Sequence, residues 1–256
     1  LAIMLIAGPA DAAPTQWIFH FHPDTAPVRA ERFKAAADAF VQRIDPNLRV
    51  QPFRHERDLL RALRDKPPAF VILGPRHIRR YRTRLGLLPL LVPVRHGRTA
   101  FKKRLLAREG VDTRTLKGLS VAATSLRTGA EFTAQLGHLK LEREDLSVMS
   151  VSKDADALLA LALHRVELAL VRPESVERMR QLHQSAARGL VLVDTTPPMP
   201  HPVLCATRRA DPALVKRVAA AFRDVAESAS GRRLMRILVF DRWITPEDQT
   251  GERRQR

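Results

Sequence analysis

The sequence contains little cysteine and few aromatic residues. Cys205 is the only cysteine among 256 residues, which excludes an internal disulfide but not export. It lies in an apolar, strand-like run, which favours a core residue over a nucleophile. Aromatic residues make up 5% of the chain and leave little material for stacking nucleic-acid bases. No nucleic-acid partner is therefore expected.

Acidic residues are also scarce relative to basic ones. The chain has 44 Lys and Arg against 27 Asp and Glu, which gives a net charge of +17. Such a charge attracts nucleic acid, acidic lipid or anionic solutes, but it does not determine the fold. The basic residues are scattered among helices rather than gathered in one arm. A mean hydropathy of −0.20 and 45% hydrophobic residues are ordinary for a soluble globular protein.

The N-terminal stretch LAIMLIAGPADAAPTQ resembles the end of a secretion signal. Its apolar run is too short to span a bilayer, and small residues follow it. Ala10-Asp11-Ala12 fits the A-x-A pattern of a cleavage site. We expect residues 1–13 to be residual signal peptide, cleaved near Ala12; the alternative is a frayed N-terminal strand. At the other end, residues 251–256 form a basic tail.

Strand-like and helix-like pieces alternate through most of the chain. Residues 17–21 and 48–53 are typical of strands, and residues 69–73 form the continuous apolar run of a buried parallel strand. Between the first two, apolar residues from Phe33 to Ile44 fall on one helical face. This alternation predicts an α/β fold with mainly parallel sheets.

One segment resembles another 98 residues later. Leu48–Tyr81 and Leu146–Met179 align without a gap, and eight of 34 positions are identical. Both predict strand, helix, apolar strand and a helix that begins at proline, Pro75 in one and Pro173 in the other. Two unrelated β-α-β units in a chain rich in Ala, Leu and Arg could also look alike. In both cases two similar units predict two α/β lobes.

Two long, proline-containing extended segments suggest where the chain crosses between the lobes. They are residues 87–109 and 191–209. We therefore expect a first lobe of residues 14–95 plus 201–250 and a second lobe of residues 96–200.

The loop from Thr124 to Gly129 joins an apolar strand to a helix with one apolar face. In open α/β sheets, ligands bind at such strand ends, where helix N-termini suit anions. Ser125 and Thr128 could donate hydroxyl protons, Arg127 could bind an oxyanion with two hydrogen bonds, and Gly129 allows close approach. The alternative is a capping box, since Glu131 follows Thr128 by three residues.

Other polar residues follow predicted strands in the same way. Ser152, Lys153 and Asp154 begin a helix, where Lys153 supplies a charge and Asp154 either caps the helix or contacts a ligand amine. The internal repeat places Arg54 and His55 at the equivalent position. The remaining candidates are Arg76 and His77 after Gly74-Pro75, and His20, His22 and Asp24 after the first strand. For each, an ordinary surface role is the alternative.

Motifs of catalysis and metal binding are missing from the sequence. His20 and His22 have no further ligand at standard spacing, so no metal site is expected. The chain has no G-x-S-x-G, P-loop or G-x-G-x-x-G motif. We expect no catalytic residue, no cofactor and no enzymatic activity.

Four segments together resemble the periplasmic solute-binding proteins of the phosphate/phosphonate type. They are FVILGP (Phe70–Pro75), LKGLSVAATSLRTGAEF (Leu116–Phe132), VSKDADALLALALHRVELALV (Val151–Val171) and the segment Thr195–Val218. The resemblance implies the two-lobed type II periplasmic-binding fold with a ligand cleft between the lobes. It also implies a periplasmic monomer that captures a small phosphate- or phosphonate-like anion for an ABC permease.

The sequence departs from that family at the predicted site. Leu126 and Arg127 replace small polar residues, Lys153-Asp154 replaces a frequent His-Asp, and Arg76 follows Gly-Pro instead of an aromatic residue. Two other roles stay open on sequence alone: a ligand sensor for a membrane receptor and, less favoured, a basic nucleic-acid-binding protein.

Overall fold

The computed structural model describes residues 14–21, 27–124, 126 and 128–248. Its helices are α1 (Pro27–Val41), α2 (Glu56–Asp65), α3 (Pro75–Leu85), α4 (Gly129–Leu136), α5 (Asp154–Ala162), α6 (Pro173–Leu182), α7 (Gln184–Ala187), α8 (Pro212–Arg223) and α9 (Ala229–Leu238). Short 3₁₀ helices cover Gly137–Leu139, Arg143–Asp145 and Val225–Glu227.

The strands alternate with these helices, as the sequence predicts. They are β1 (Gln16–Phe21), β2 (Leu48–Phe53), β3 (Phe70–Leu73), β4 (Leu88–Val94), β5 (Ala100–Phe101), β6 (Arg104–Arg108), β7 (Ser120–Ala123), β8 (Ser147–Ser150), β9 (Leu168–Val171), β10 (Leu190–Thr195), β11 (Met199–Pro200), β12 (Val203–Ala206) and β13 (Arg242–Ile244).

The first lobe is built on a sheet with the order β13-β4-β12-β3-β1-β2. Parallel pairing joins β2, β1 and β3, whereas β12 runs antiparallel to both β3 and β4, and β13 runs antiparallel to β4. Helices α1, α8 and α9 cover one face, where Phe40, Phe222 and Trp243 pack in one buried cluster. Tyr81 of α3 belongs to a second cluster that contains Leu59 of α2.

The second lobe is built on a sheet with the order β10-β6-β9-β7-β8. Parallel pairing joins β8, β7 and β9, and antiparallel pairing joins β9 to β6 and β6 to β10. Both sheets are thus mixed, which corrects the expectation of mainly parallel sheets. Strands β6 and β12, which each enter their sheet directly after a crossing between the lobes, run antiparallel to both neighbours, and β13 adds an antiparallel pair at the edge of the first sheet.

The two sheets share one arrangement of strands. In each, a β-α-β-α-β unit supplies three parallel strands, with the first strand between the second and third: β2-β1-β3 and β8-β7-β9. The segments that the sequence aligned therefore occupy equivalent positions. The predicted helix starts at Pro75 and Pro173 are also confirmed, since each proline is the first residue of its helix.

Two adjacent chain segments connect the sheets. Strands β5 and β11 pair antiparallel. Beside them, Lys103 N donates to Thr196 Oγ1 at 2.9 Å, and Thr196 N donates to Lys103 O at 2.9 Å. Across the same ribbon, His201 N donates to Thr99 O at 3.1 Å. The crossings thus form one hydrogen-bonded ribbon rather than two separate linkers.

Candidate functional site

The facing edges of the two sheets carry the strand ends at which ligands bind in α/β folds. Because β1, β2 and β3 are parallel, their carboxyl ends share one edge, and antiparallel β12 begins there with His201 just before it. Strand β4 ends at the same edge, directly before Arg95. In the second lobe β9 ends before Arg172, and β6 starts after Lys103.

A cleft of about 480 Å³ lies between these edges. Arginine is its most frequent charged residue in the described part of the chain: the lining includes Arg54, Arg76, Arg79, Arg95 and Arg172. The Nε atoms of Arg54 and Arg95 are buried and have no hydrogen-bond partner among the described residues. A guanidinium can pair in a bidentate way with phosphonate or carboxylate oxygens, so this lining suits an oxyanion.

Arg95 and Arg172 both line the cleft, at the ends of β4 and β9. Burial and then the charge of Arg172 lower the pKa of Arg95. The Arg172 guanidinium lies 4.8 Å from the centre of the Phe101 ring, which stacks on His201 at 5.2 Å. Burial, followed by the charges of Arg172 and Arg95, lowers the pKa of His201 to about 4. His201 is therefore neutral at neutral pH.

Arg76 lies at the start of α3, on the first-lobe side of the cleft. Its Nη1 donates to Thr128 Oγ1 of the second lobe at 3.3 Å, and its Nη2 donates to Glu56 Oε2 at 3.3 Å. Glu56 also accepts from Arg80 Nη1 at 2.9 Å. Burial is the main cause of a lowered pKa at the neighbouring His77, and nearby Glu56 opposes it. Arg76 is thus held at the cleft by a carboxylate behind it.

The start of α4 shows the predicted capping box. Thr128 Oγ1 accepts from Glu131 N at 3.2 Å, and Glu131 Oε2 accepts from Thr128 N at 3.1 Å. Gly129 is the first residue of the helix, and a Cβ there would meet nothing within 4 Å. Ser125 and Arg127 lie outside the described residues. The capping alternative is confirmed, and a ligand role for this loop stays a prediction.

Asp154, the first residue of α5, accepts hydrogen bonds from residues at the ends of β7 and β9 and from α6. Its Oδ2 accepts from Arg172 N at 2.9 Å and from Ser175 Oγ at 3.0 Å, and its Oδ1 accepts from Thr124 Oγ1 at 3.5 Å. Thr124 Oγ1 in turn accepts from Nζ of the buried Lys103 at 3.1 Å. Asp154 thereby fixes the backbone of Arg172 at the cleft.

The other predicted residues are placed as follows. Ser152 and Lys153 are exposed before α5, and His55 is the exposed N-cap of α2 without a side-chain capping bond. Of these three and Asp154, none is among the described residues that line the cleft. His22 and Asp24, like residues 1–13 and 251–256, lie outside the described residues.

Sequence reasoning missed Arg95, Arg172, Phe101 and His201. These residues lie at strand ends or in the crossings, where no motif marks them. One signal was available: Arg172 precedes Pro173 as Gly74 precedes Pro75, and Gly74 also lines the cleft. The internal repeat thus pointed to Arg172.

Within the described residues, no group of three or more His, Cys, Asp or Glu side chains could hold a metal ion. In that same part of the chain, every helix is too short or too polar to cross a membrane.

Two α/β lobes with a cleft between their facing strand ends define a two-lobed solute-binding protein. Residues 19–250 match the profile of the periplasmic substrate-binding protein of phosphonate ABC transporters, and the chain belongs to this family. This is a family of transport proteins that capture a solute for an ABC transporter, not of enzymes. The resemblance drawn from the sequence and the two-lobed fold are thereby confirmed. No protein with a curated description matches the chain.

Solved structures show the same fold at low sequence identity. XAC2383 from Xanthomonas citri, bound to chloride, gives a TM-score of 0.72 at 16% identity over 94% of each chain. PhnD1 from Prochlorococcus marinus, in complex with methylphosphonate, gives 0.68 at 12% identity over 94% of this chain and 97% of that one. A phosphonate transporter binding component from Pseudomonas aeruginosa gives 0.68 at 13% identity, covering 94% and 85%.

Proposed function

We propose that this protein binds a phosphonate- or phosphate-like anion between Arg95 and Arg172, with Arg54 and Arg76 on the facing side of the cleft. The proximity of Arg95 and Arg172 carries the proposal. Two partly buried guanidinium groups that repel each other gain free energy when an anion lies between them. Asp154 supports the arrangement because it holds the backbone N of Arg172.

Capture and release require the lobes to move apart. The contact across the cleft edge, Arg76 Nη1 with Thr128 Oγ1 at 3.3 Å, is exposed and can break at low cost. An anion that binds both lobes favours the closed state by its differential affinity for that state. The hydrogen-bonded ribbon of crossings supports a hinge there.

The remaining expectations are part of the same proposal. The first lobe comprises residues 14–95 and 201–250, and the second comprises residues 96–200, which the sheet membership of the strands supports. The mature protein is a periplasmic monomer that delivers its ligand to the permease. In the loop before α4, Ser125, Arg127 and Gly129 add ligand contacts beside Thr128. His22 is a further expected ligand contact, and His55, Ser152 and Lys153, which do not line the cleft, stay predictions from the sequence.

Isothermal titration of the purified protein with methylphosphonate and inorganic phosphate tests the binding site. We expect Arg95→Ala and Arg172→Ala each to weaken binding about tenfold or more, since each removes a hydrogen bond between charged groups. Arg114→Ala is the matched control, because Arg114 is an exposed arginine paired with Asp112. Equal affinity in Arg172→Ala and Arg114→Ala, with unchanged circular dichroism, would contradict the proposed site.

A further inference from the structure

The cleft has an apolar wall as well as a cationic one. Residues 237–240, at the end of α9, line the cleft together with Phe33 of α1. Ile237, Leu238 and Phe240 pack against the same buried cluster that contains Phe33, so this surface is continuous with the core of the first lobe. We call residues 237–240 and Phe33 the apolar wall. An inorganic oxyanion gains nothing from such a surface, whereas an apolar ligand group does.

The apolar wall lies near Arg172 in the cleft. Phe240 contacts His201 with ring centres 5.5 Å apart, and His201 stacks on Phe101. The Arg172 guanidinium lies over the Phe101 ring. Two rings therefore bridge the wall and the cation. The cleft volume of about 480 Å³ is in the range that accommodates ligands much larger than phosphate. One ligand can thus reach both surfaces.

The charges of the lining do not suit a cationic substituent. Among the described lining residues Glu131 is the only acid, and its carboxylate accepts from Thr128 N in the capping box. The arginines of the same lining would repel an ammonium group. An uncharged, apolar substituent meets neither difficulty.

Val239 adds an observation from the backbone. It has φ 57° and ψ 43°, the left-handed region in which a β-branched residue is strained, and the residue is 49% exposed. Glycine would relieve this strain at the end of α9. A strained position that keeps an exposed apolar side chain in a cleft points to a use in binding.

We propose, building on the proposed function, that the site selects a phosphonate or phosphate monoester whose substituent is uncharged, apolar and larger than methyl. The arginines bind the oxygens, and the substituent lies against the apolar wall.

Three phosphonates test the proposal by titration calorimetry. Propylphosphonate and 2-aminoethylphosphonate have the same number of heavy atoms and differ in the charge of the substituent, and methylphosphonate is the short reference. We expect each buried methylene to tighten binding about fourfold. Propylphosphonate should therefore bind at least about tenfold more tightly than methylphosphonate. Equal or tighter binding of 2-aminoethylphosphonate would overturn the inference and leave the proposed function standing. If no phosphonate or phosphate binds, the proposed function itself fails.

A substitution separates the wall from general stability. Val239→Gly should raise the melting temperature by about 2–4 °C through relief of strain, and should lower the preference for propylphosphonate over methylphosphonate. Lys140→Gly is the matched control, because Lys140 also has a left-handed backbone (φ 58°) but lies outside the cleft lining. It should stabilise the fold and leave the preference unchanged. An unchanged preference in Val239→Gly would contradict the role of the wall.

Discussion

Arg76 of the first lobe donates a hydrogen bond to Thr128 of the second, with Nη1 3.3 Å from Oγ1. The same oxygen accepts from Glu131 N, so one hydroxyl both caps α4 and links the lobes. A change at Thr128 therefore affects helix stability and lobe contact together, and binding alone cannot distinguish these roles.

Thr128→Ala should lower the free energy of unfolding by about 1 kcal/mol, because α4 loses the side-chain acceptor of its capping box. Thr128→Ser keeps that acceptor and should retain most of the stability. Urea denaturation of the three proteins measures the difference. Identical midpoints for Thr128→Ala and the unchanged protein would show that the cap contributes nothing.

Asp154→Ala should lower the free energy of unfolding by about 1–3 kcal/mol, because Arg172 N and Ser175 Oγ lose their acceptor. Asp156→Ala is the control: Asp156 shares the first turn of α5 and its helix-dipole interaction, but no side-chain hydrogen bond of its own is described. Chemical denaturation compares the two. An equal loss in both variants would mean that helix electrostatics, not the Asp154 network, stabilises this region.

Stability should fall with pH on the acid side of neutrality because of His201. Its pKa is about 4 in the folded protein against an ordinary value of 6.5, so the unfolded chain binds this proton more readily. The contribution of neutral His201 to the free energy of unfolding is fully present above about pH 6.5. It is lost as the pH falls toward 4, and the total loss is up to about 3 kcal/mol. Denaturant titrations between pH 4 and 8 measure it. His201→Asn should flatten this dependence, whereas His164→Asn, at an exposed site, should leave it intact.

Cys205 should not react with thiol reagents in the native protein. Burial raises its pKa to about 12, and its side chain is inaccessible within β12. At pH 8, labelling with a disulfide reagent should proceed only as fast as the fold opens, and at once in denaturant. Rapid labelling of the native protein would show that β12 is exposed by local opening.

Local pattern was enough to predict most elements but not the cleft. The apolar run that became β3, the alternating residues of β2 and the Thr128–Glu131 capping box follow from interactions between near neighbours in the chain. Arg95 and Arg172, by contrast, are 77 residues apart in the numbering and come together only because β4 and β9 end at facing edges. No spacing in the sequence indicates that these two residues come together in the fold. The order of strands, including the entry of β6 and β12 after the crossings, likewise depends on long-range pairing.

The position of β12 constrains the order in which the protein can fold. This strand lies between β3 and β4, yet it is made after the whole of the second lobe. Strands β6 to β10 form a continuous stretch of chain and can pair as soon as they emerge. Until residues 203–206 are synthesised, the facing edges of β3 and β4 have no strand between them to pair with. These unpaired edges are the part of the nascent chain most exposed to aggregation.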